Sequence, residues 1–175
     1  PLVGGMGRNS VEIHANQLAY KLANKLKGDC TYLYAPAIVE SKELKERLIQ
    51  STDISSVLEE GRNVDMAIVG IGNPYKNSTM KEIGYVTEDD IEKLKQSGII
   101  GDINSQFFDK TGEQPNTLLN ERVIGIDLED LKQIPKVIAV VNGEHKVSCT
   151  KVALEKQYIN VLITDYQTAK QILLS

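Results

Sequence analysis

The chain has 175 residues, 41% of them apolar and 25% charged, which is the size and composition of one soluble globular domain. A net charge of -4, with both signs spread along the sequence, excludes a global electrostatic pull toward nucleic acid, so any DNA contact would need another segment. Cys30 and Cys149 stand far apart without metal-ligand spacing and read as reduced thiols of a cytosolic protein, and no run approaches the ~20 apolar residues of a membrane span.

The chain opens on an apolar strand, Pro1-Leu2-Val3, without an initiator Met, from which we expect a fragment of a longer protein. Gly4-Gly5-Met6-Gly7 follows, with Arg8 as a nearby cation. Segment 10–27 then reads as a helix: Ala15, Leu18, Ala19, Leu22, Ala23 and Leu26 form one apolar stripe, Asn9 and Glu12 offer a cap, and Gly28 a stop. A short strand is expected over 31–34. Ser41 begins a charged helix through about Gln50, and a second helix covers about 53–61. Residues 66–69 read as a buried strand, running through Gly70-Ile71-Gly72 into a polar loop over 73–79 that carries Lys76. Thr87 caps a helix to about Gln96, and Gly98 ends it. Short apolar runs separated by turn residues suggest a small antiparallel β insertion over about 99–125. A brief helix over 128–132 stops before Pro135. The strand at 136–141, a helix over 145–156, the strand at 160–163 and a last helix over 165–174, with Thr164 and Gln167 as its capping box, complete the chain.

Strands alternating with helices predict one α/β domain, 1–175: a Rossmann-like three-layer sandwich whose mostly parallel sheet is covered on both faces. Three strands of this pattern end in glycine turns, at Gly4-Gly5, at Gly70-Ile71-Gly72 and at Asn142-Gly143. A strand-glycine-helix corner offers unpaired amides and the positive end of a helix dipole, which suits phosphate. Ligands of open α/β sheets sit beyond the carboxyl ends of the strands, so the three corners are expected to converge on one pocket.

The third corner carries Glu144, His145 and Lys146. Cations at a helix N-terminus oppose the dipole, and a bound anion would relieve that conflict; alternatively Lys146 projects into solvent at small cost. The backbones of Gly4, Gly5, Gly70 and Gly72 either contact a ligand or serve tight turns and close packing. His14 and Asn16 fall on opposite borders of the first helix's apolar stripe, so each is either a ligand contact or a hydrogen-bonded core residue. Arg122 suits bidentate phosphate binding or is an ordinary exposed arginine. Asp102 accepts from sugar hydroxyls or caps a turn. Tyr32, Tyr34, Phe107 and Phe108 read as core aromatics. No nucleophile elbow or metal spacing is visible, and Glu144-His145 is the only near acid–base candidate.

In order along the chain stand Gly4-Gly5-Met6-Gly7, His14-Ala15-Asn16, Tyr34-Ala35-Pro36-Ala37, Gly70-Ile71-Gly72, Gly101-Asp102-Ile103, Arg122-Val123-Ile124-Gly125, Gly143-x-x-Lys146 and Thr164-Asp165. This series resembles the sugar-binding effector domain of the SorC family of bacterial transcriptional regulators. The resemblance implies a fold related to ribose-5-phosphate isomerase and glucosamine-6-phosphate deaminase. It implies a phosphorylated sugar as effector, no cofactor and no metal. It also implies a cytoplasmic homodimer or homotetramer that contacts DNA only through an N-terminal helix-turn-helix domain outside this chain. A Gly-Thr-rich phosphate loop is expected upstream of Pro1. By similarity Gly4, Gly5, His14, Asn16, Asp102, Arg122 and Lys146 map to the effector pocket. A sugar-phosphate isomerase or deaminase on the same scaffold, and a pure oligomerisation domain, are the alternatives; catalytic turnover would separate the first from a sensor.

Overall fold

The computed structural model describes residues 1–6, 14–115, 117 and 119–175. Gly7, Arg8, the expected cap formed by Asn9 and Glu12, and the start of the helix expected from residue 10 lie outside the described residues.

Helix α1 (Ala15–Leu26) ends on Lys27, which takes the left-handed conformation expected one residue later, at Gly28. Its apolar stripe is real in sequence but has no partner among the described residues: no α1 residue is buried, and Leu26 is 72% exposed. The strand expected at 31–34 does not form. Leu33 is buried, but Tyr34 is exposed and meets Tyr32 at a tilt, while Tyr32 stacks with Tyr20, so these tyrosines are not core residues. Only isolated bridges follow, Gly5 with Pro36 and Ile38 with Val123.

Helices α2 (Lys42–Ile49) and α3 (Thr52–Arg62) match the expected spans within a residue or two. Ser41 Oγ accepts from the Leu44 amide and fixes the start of α2. Strand β1 (Met66–Val69) passes through Gly70 directly into β2 (Ile71–Gly72), with no helix between. Two helices, α4 (Thr79–Glu82) and α5 (Glu88–Gln96), lead to the hairpin of β3 (Ile99–Ile103) and β4 (Gln106–Asp109). The reciprocal Thr87–Asp90 box starts α5, which buries Ile91 and Leu94 one turn apart. Asn104 and Ser105 both have positive φ, the two-residue turn whose twist matches paired antiparallel strands.

The small antiparallel sheet is ordered β2-β3-β4. It is therefore not a self-contained insertion over 99–125, because its first strand comes from residues 71–72. The Arg122–Gly125 stretch takes no part in it and instead bridges to Ile38 and Val3. Phe107 and Phe108 are fully buried on opposite faces of β4: Phe108 enters the main core, and Phe107 a second cluster with Leu94, Ile91 and Met80.

Helix α6 (Leu128–Gln133), started by an Asp127–Asp130 box, leads into β5 (Lys136–Val141). A 3-10 turn over Glu144–Lys146 then enters α7 (Val147–Glu155). Strand β6 (Val161–Thr164) and α8 (Tyr166–Leu174) follow; the cap of α8 is Asp165 accepting from Thr168, not the expected Thr164–Gln167 box. The parallel sheet runs β1-β5-β6. Its inward residues Ala67, Val69, Val137, Ala139 and Val141 pack with Leu128 and Leu131 of α6 and Cys149 and Ala153 of α7. Burying such residues contributes roughly 1.5–3 kcal/mol for each large side chain. The opposite face is not covered by the described residues: β1 alternates exposed and buried rather than being buried throughout. The fold is the expected Rossmann-like α/β arrangement with a small antiparallel sheet beside it.

Candidate functional site

Beyond the carboxyl end of β5, Gly143 (φ 103°) turns the chain back. Its amide donates to Thr168 Oγ1 (3.0 Å), and that hydroxyl donates to Asp165 Oδ2 (2.5 Å), so the cap of α8 also pins this loop. The carbonyl of His145 accepts from Asn73 Nδ2 (2.6 Å), while Asn73 Oδ1 accepts from the amides of Tyr75 and Lys76. Asn73 thereby ties the exit of β2 to the turn after β5. Neither Asn73 nor Thr168 was singled out from sequence. The Asn73-Pro74 pair, a turn signal with a side chain able to bond the backbone two residues on, marked the first.

The His145 ring lies against the Cα of Gly143, and its Nε2 is buried without a hydrogen-bond partner among the described residues. Burial lowers its basicity, and the neighbouring Lys146 and Lys76 charges lower it further. His145 therefore feels both lysine charges. Helix α7 begins there with no side-chain cap and no acid in its first turn.

Asp102 faces this group from β3. It is buried, its Oδ1 has no partner among the described residues, and its pKa is pushed up to about 6. Burial causes the rise; an amide hydrogen bond from Ser105 and the charge of Lys146 oppose it. Gly72 is its register partner, and a Cβ on Gly72 would fall 2.0 Å from Asp102 Oδ1. Gly72 thus makes room for the carboxylate rather than offering an anion its own helix end. Asn104 Nδ2 and Ser105 Oγ of the adjoining hairpin turn are also buried and without partners among the described residues. Each such orphan costs about 1–3 kcal/mol, and folded proteins keep few. Their concentration around Asp102 and His145 fits a polar ligand.

The other expected site residues divide. Gly4 and Gly5 do not present free amides: Gly4 N–H donates to Ile124 O (2.9 Å) and Gly5 N–H to Ala35 O (2.8 Å). They form a wall, close to the Phe107 side of the small sheet, where Tyr85 Oη donates to Gly5 O (3.2 Å). His14 caps α1 without a side-chain bond; its ring lies near Gly5 and its Nε2 is buried without a partner among the described residues. Asn16 spends both amide atoms on Leu33, donating to its carbonyl (3.0 Å) and accepting from its N–H (2.9 Å), which makes it a structural clamp. Gly70 joins β1 to β2 with open space above its Cα and no helix end beside it. Arg122 lies against the start of α5, ion-paired with Asp90 at 3.6 Å.

Glu144 accepts from Gln171 Nε2 of α8 (2.8 Å), which draws it away from acid–base work with His145. The Cys149 thiol donates to Lys146 O and is held protonated, its pKa pushed up to about 11 by burial and by the Asp102 charge. A separate groove of about 650 Å³, lined by Lys45, Ser55, Arg62 and Asp127 among others, is not the expected rim; Arg62 there is bound to Asp130 and Glu59.

A parallel α/β sheet with a cationic, polar rim beyond its strand ends defines a small-molecule-binding domain. The family described as "Putative sugar-binding domain" matches residues 1–174, and the chain belongs to that family. It is 30% identical over 169 residues to the deoxyribonucleoside regulator of Bacillus subtilis (strain 168), covering 97% of this chain and 54% of that protein. Among solved structures, a DeoR family transcriptional regulator from Listeria monocytogenes superposes with a TM-score of 0.92 at 46% identity, covering 98% of this chain and 67% of the other. The full-length sorbitol operon regulator SorC from Klebsiella pneumoniae gives 0.91 at 30% identity, covering 100% of this chain and 57% of the other. The chain thus spans about half the length of the curated relatives it matches.

Proposed function

We propose that this chain is the effector-binding part of a cytoplasmic transcriptional regulator and that its effector is a phosphorylated sugar. One observation carries the reading: Asp102 and His145 hold buried polar atoms without partners among the described residues, beside Lys146 at the start of α7. Lys146 and Lys76 receive the phosphate, and Asp102 accepts from sugar hydroxyls. Gly4, Gly5 and His14 form the facing wall. Relatives named as regulators, the occupied Glu144 and the protonated Cys149 support sensing rather than turnover. The effector biases the arrangement of a dimer or tetramer, and so the spacing of DNA-binding domains outside this chain, only as far as it binds one arrangement more tightly.

Titration calorimetry with a panel of sugar phosphates tests this. At least one is expected to bind saturably without turnover, and Lys146→Ala to weaken it about 10- to 100-fold, as for loss of a charge-assisted hydrogen bond. The melting temperature of the unliganded variant should stay within about 2 °C. Steady conversion of the sugar phosphate would overturn the sensor reading, and unchanged affinity in Lys146→Ala would remove the phosphate from this rim.

A further inference from the structure

The two cations of the rim come from separate strand exits. Lys76 follows β2, and Lys146 follows β5 at the start of α7. One side chain spans the gap. Asn73 Oδ1 accepts from the amides of Tyr75 (2.9 Å) and Lys76 (3.2 Å), and Asn73 Nδ2 donates to His145 O (2.6 Å). An asparagine can do both at once, because its carbonyl oxygen serves its own turn while its amino group reaches a distant carbonyl. The same turns use up their backbone donors: the amides of Tyr75 and Lys76 go to Asn73, and that of Lys146 goes to Gly143 O (3.0 Å). With those three amides taken, the weight of anion binding falls on the side chains of Lys76 and Lys146.

We infer that Asn73 is a positioning residue of the effector site, latching the exit of β2 to the turn after β5 so that Lys76 and Lys146 present their charges to one phosphate. The inference rests on the sugar-phosphate reading and adds a residue that acts through the two lysines. Topology makes such a latch necessary. β2 lies in the small antiparallel sheet and β5 in the parallel one, so no ladder between them fixes one exit against the other among the described residues. The turn after β5 is tied to α8 on its far side, Gly143 N–H to Thr168 Oγ1 and Glu144 to Gln171. Asn73 supplies the tie across 72 residues to the β2 exit, where Gly72 is also the register partner of Asp102. The His145 ring sits where a loosened latch would be felt. Its own carbonyl is the atom that Asn73 holds, its ring lies against Gly143, and its Nε2 is buried. Burial and the two lysine charges together hold its basicity down. Releasing the turn would let water reach the ring and draw the lysines apart, and both changes restore basicity.

Asn73→Ser in the full-length protein tests this. Serine keeps an oxygen for the turn at residues 75 and 76. It has no Nδ2 and is one bond shorter, so the variant drops the link to His145 O and spares the local turn. The His145 imidazole, assigned with His145→Gln, is followed by NMR through a pH titration without ligand and then through additions of inorganic phosphate as the probe. In Asn73→Ser the midpoint is expected to rise by about half a pH unit or more, toward the ordinary value. The phosphate concentration that half-saturates the shift of the resonance should rise about tenfold, as for one lost charge-assisted contact. An unmoved midpoint would show that Asn73 serves only its own turn and would overturn the inference. So would an unchanged half-saturation in a variant of a protein whose wild type responds to phosphate. A wild type whose His145 resonance ignores phosphate would instead overturn the sugar-phosphate reading, and the ligand-free midpoint would still decide whether the latch exists.

Discussion

Two glycine-bearing turns of this chain look alike in sequence and differ in what they do. At Gly4-Gly5 both amides are engaged, Gly4 N–H with Ile124 O and Gly5 N–H with Ala35 O. At Gly143 to Lys146 the backbone is pinned from outside, by Thr168 and Asn73, and the side chains are left with unmet needs. The first turn is a structural seam that joins the chain's start to residues 35–37 and 124–126. The second is a rim that keeps polar atoms without partners among the described residues, and it is where we propose the effector binds. Glycine after a strand therefore reports close approach, and the accounting of backbone amides shows which turns are already engaged.

Substituting the seam should give the largest effect. A Cβ on Gly4 would stand 2.4 Å from Pro36 O and 2.6 Å from Ala35 O, both backbone atoms that cannot rotate away. Gly4→Ala should therefore cost roughly 3 kcal/mol or more, since the 4–5 and 35–37 segments must part. Urea unfolding measures it. A variant with a wild-type midpoint would show that the seam yields freely and would erase the contrast with the rim.

The rim should respond to pH instead. The native Asp102 carboxyl keeps its proton up to about pH 6, against an ordinary value of 3.8. Between those values the folded state binds more protons than the unfolded state, so stability falls as pH rises from about 4 to 6 and stays lower above that. About two units correspond to about 2–3 kcal/mol. Wild-type stability measured against Asp102→Asn should show that loss in the wild type alone, with the two curves parallel above pH 6. A flat difference between pH 4 and 6 would mean that Asp102 is solvated, and the rim would lose its buried acceptor.

Most of the architecture was legible because it rests on local chemistry. Ser41, Thr87 and the apolar runs at 66–69 and 136–141 each state their element in a few adjacent residues. The failures are non-local. Residues 31–34 alternate like a strand, but no neighbour among the described residues offers them a ladder, and Asn16 takes the Leu33 backbone instead. The stripe on α1 and the outer residues of β1 read as buried, because sequence shows what an element can bury and not whether a partner is at hand. Within the site, Lys76, Asp102, His145 and Lys146 were identifiable as polar residues near strand ends. The supporting Asn73 and Thr168 were not, since a hydrogen bond across 72 or 25 residues leaves no local trace.

Arg122 sharpens the comparison at its smallest scale. A fork-shaped cation at the head of an apolar run looked like a phosphate clamp from sequence, yet the side chain lies beside Asp90, whose other carboxylate oxygen closes the Thr87 cap. The pair is only partly buried and, at 3.6 Å, longer than a tight bidentate contact. Arg122→Ala should therefore cost less than about 1 kcal/mol, most of it as fraying of the start of α5. Affinity for the sugar phosphate that Lys146→Ala weakens should stay within about twofold in Arg122→Ala, by the same calorimetry. A loss comparable to that of Lys146→Ala would extend the anion site across to α5 and make Arg122 a second phosphate contact, reached by a swing of its side chain away from Asp90.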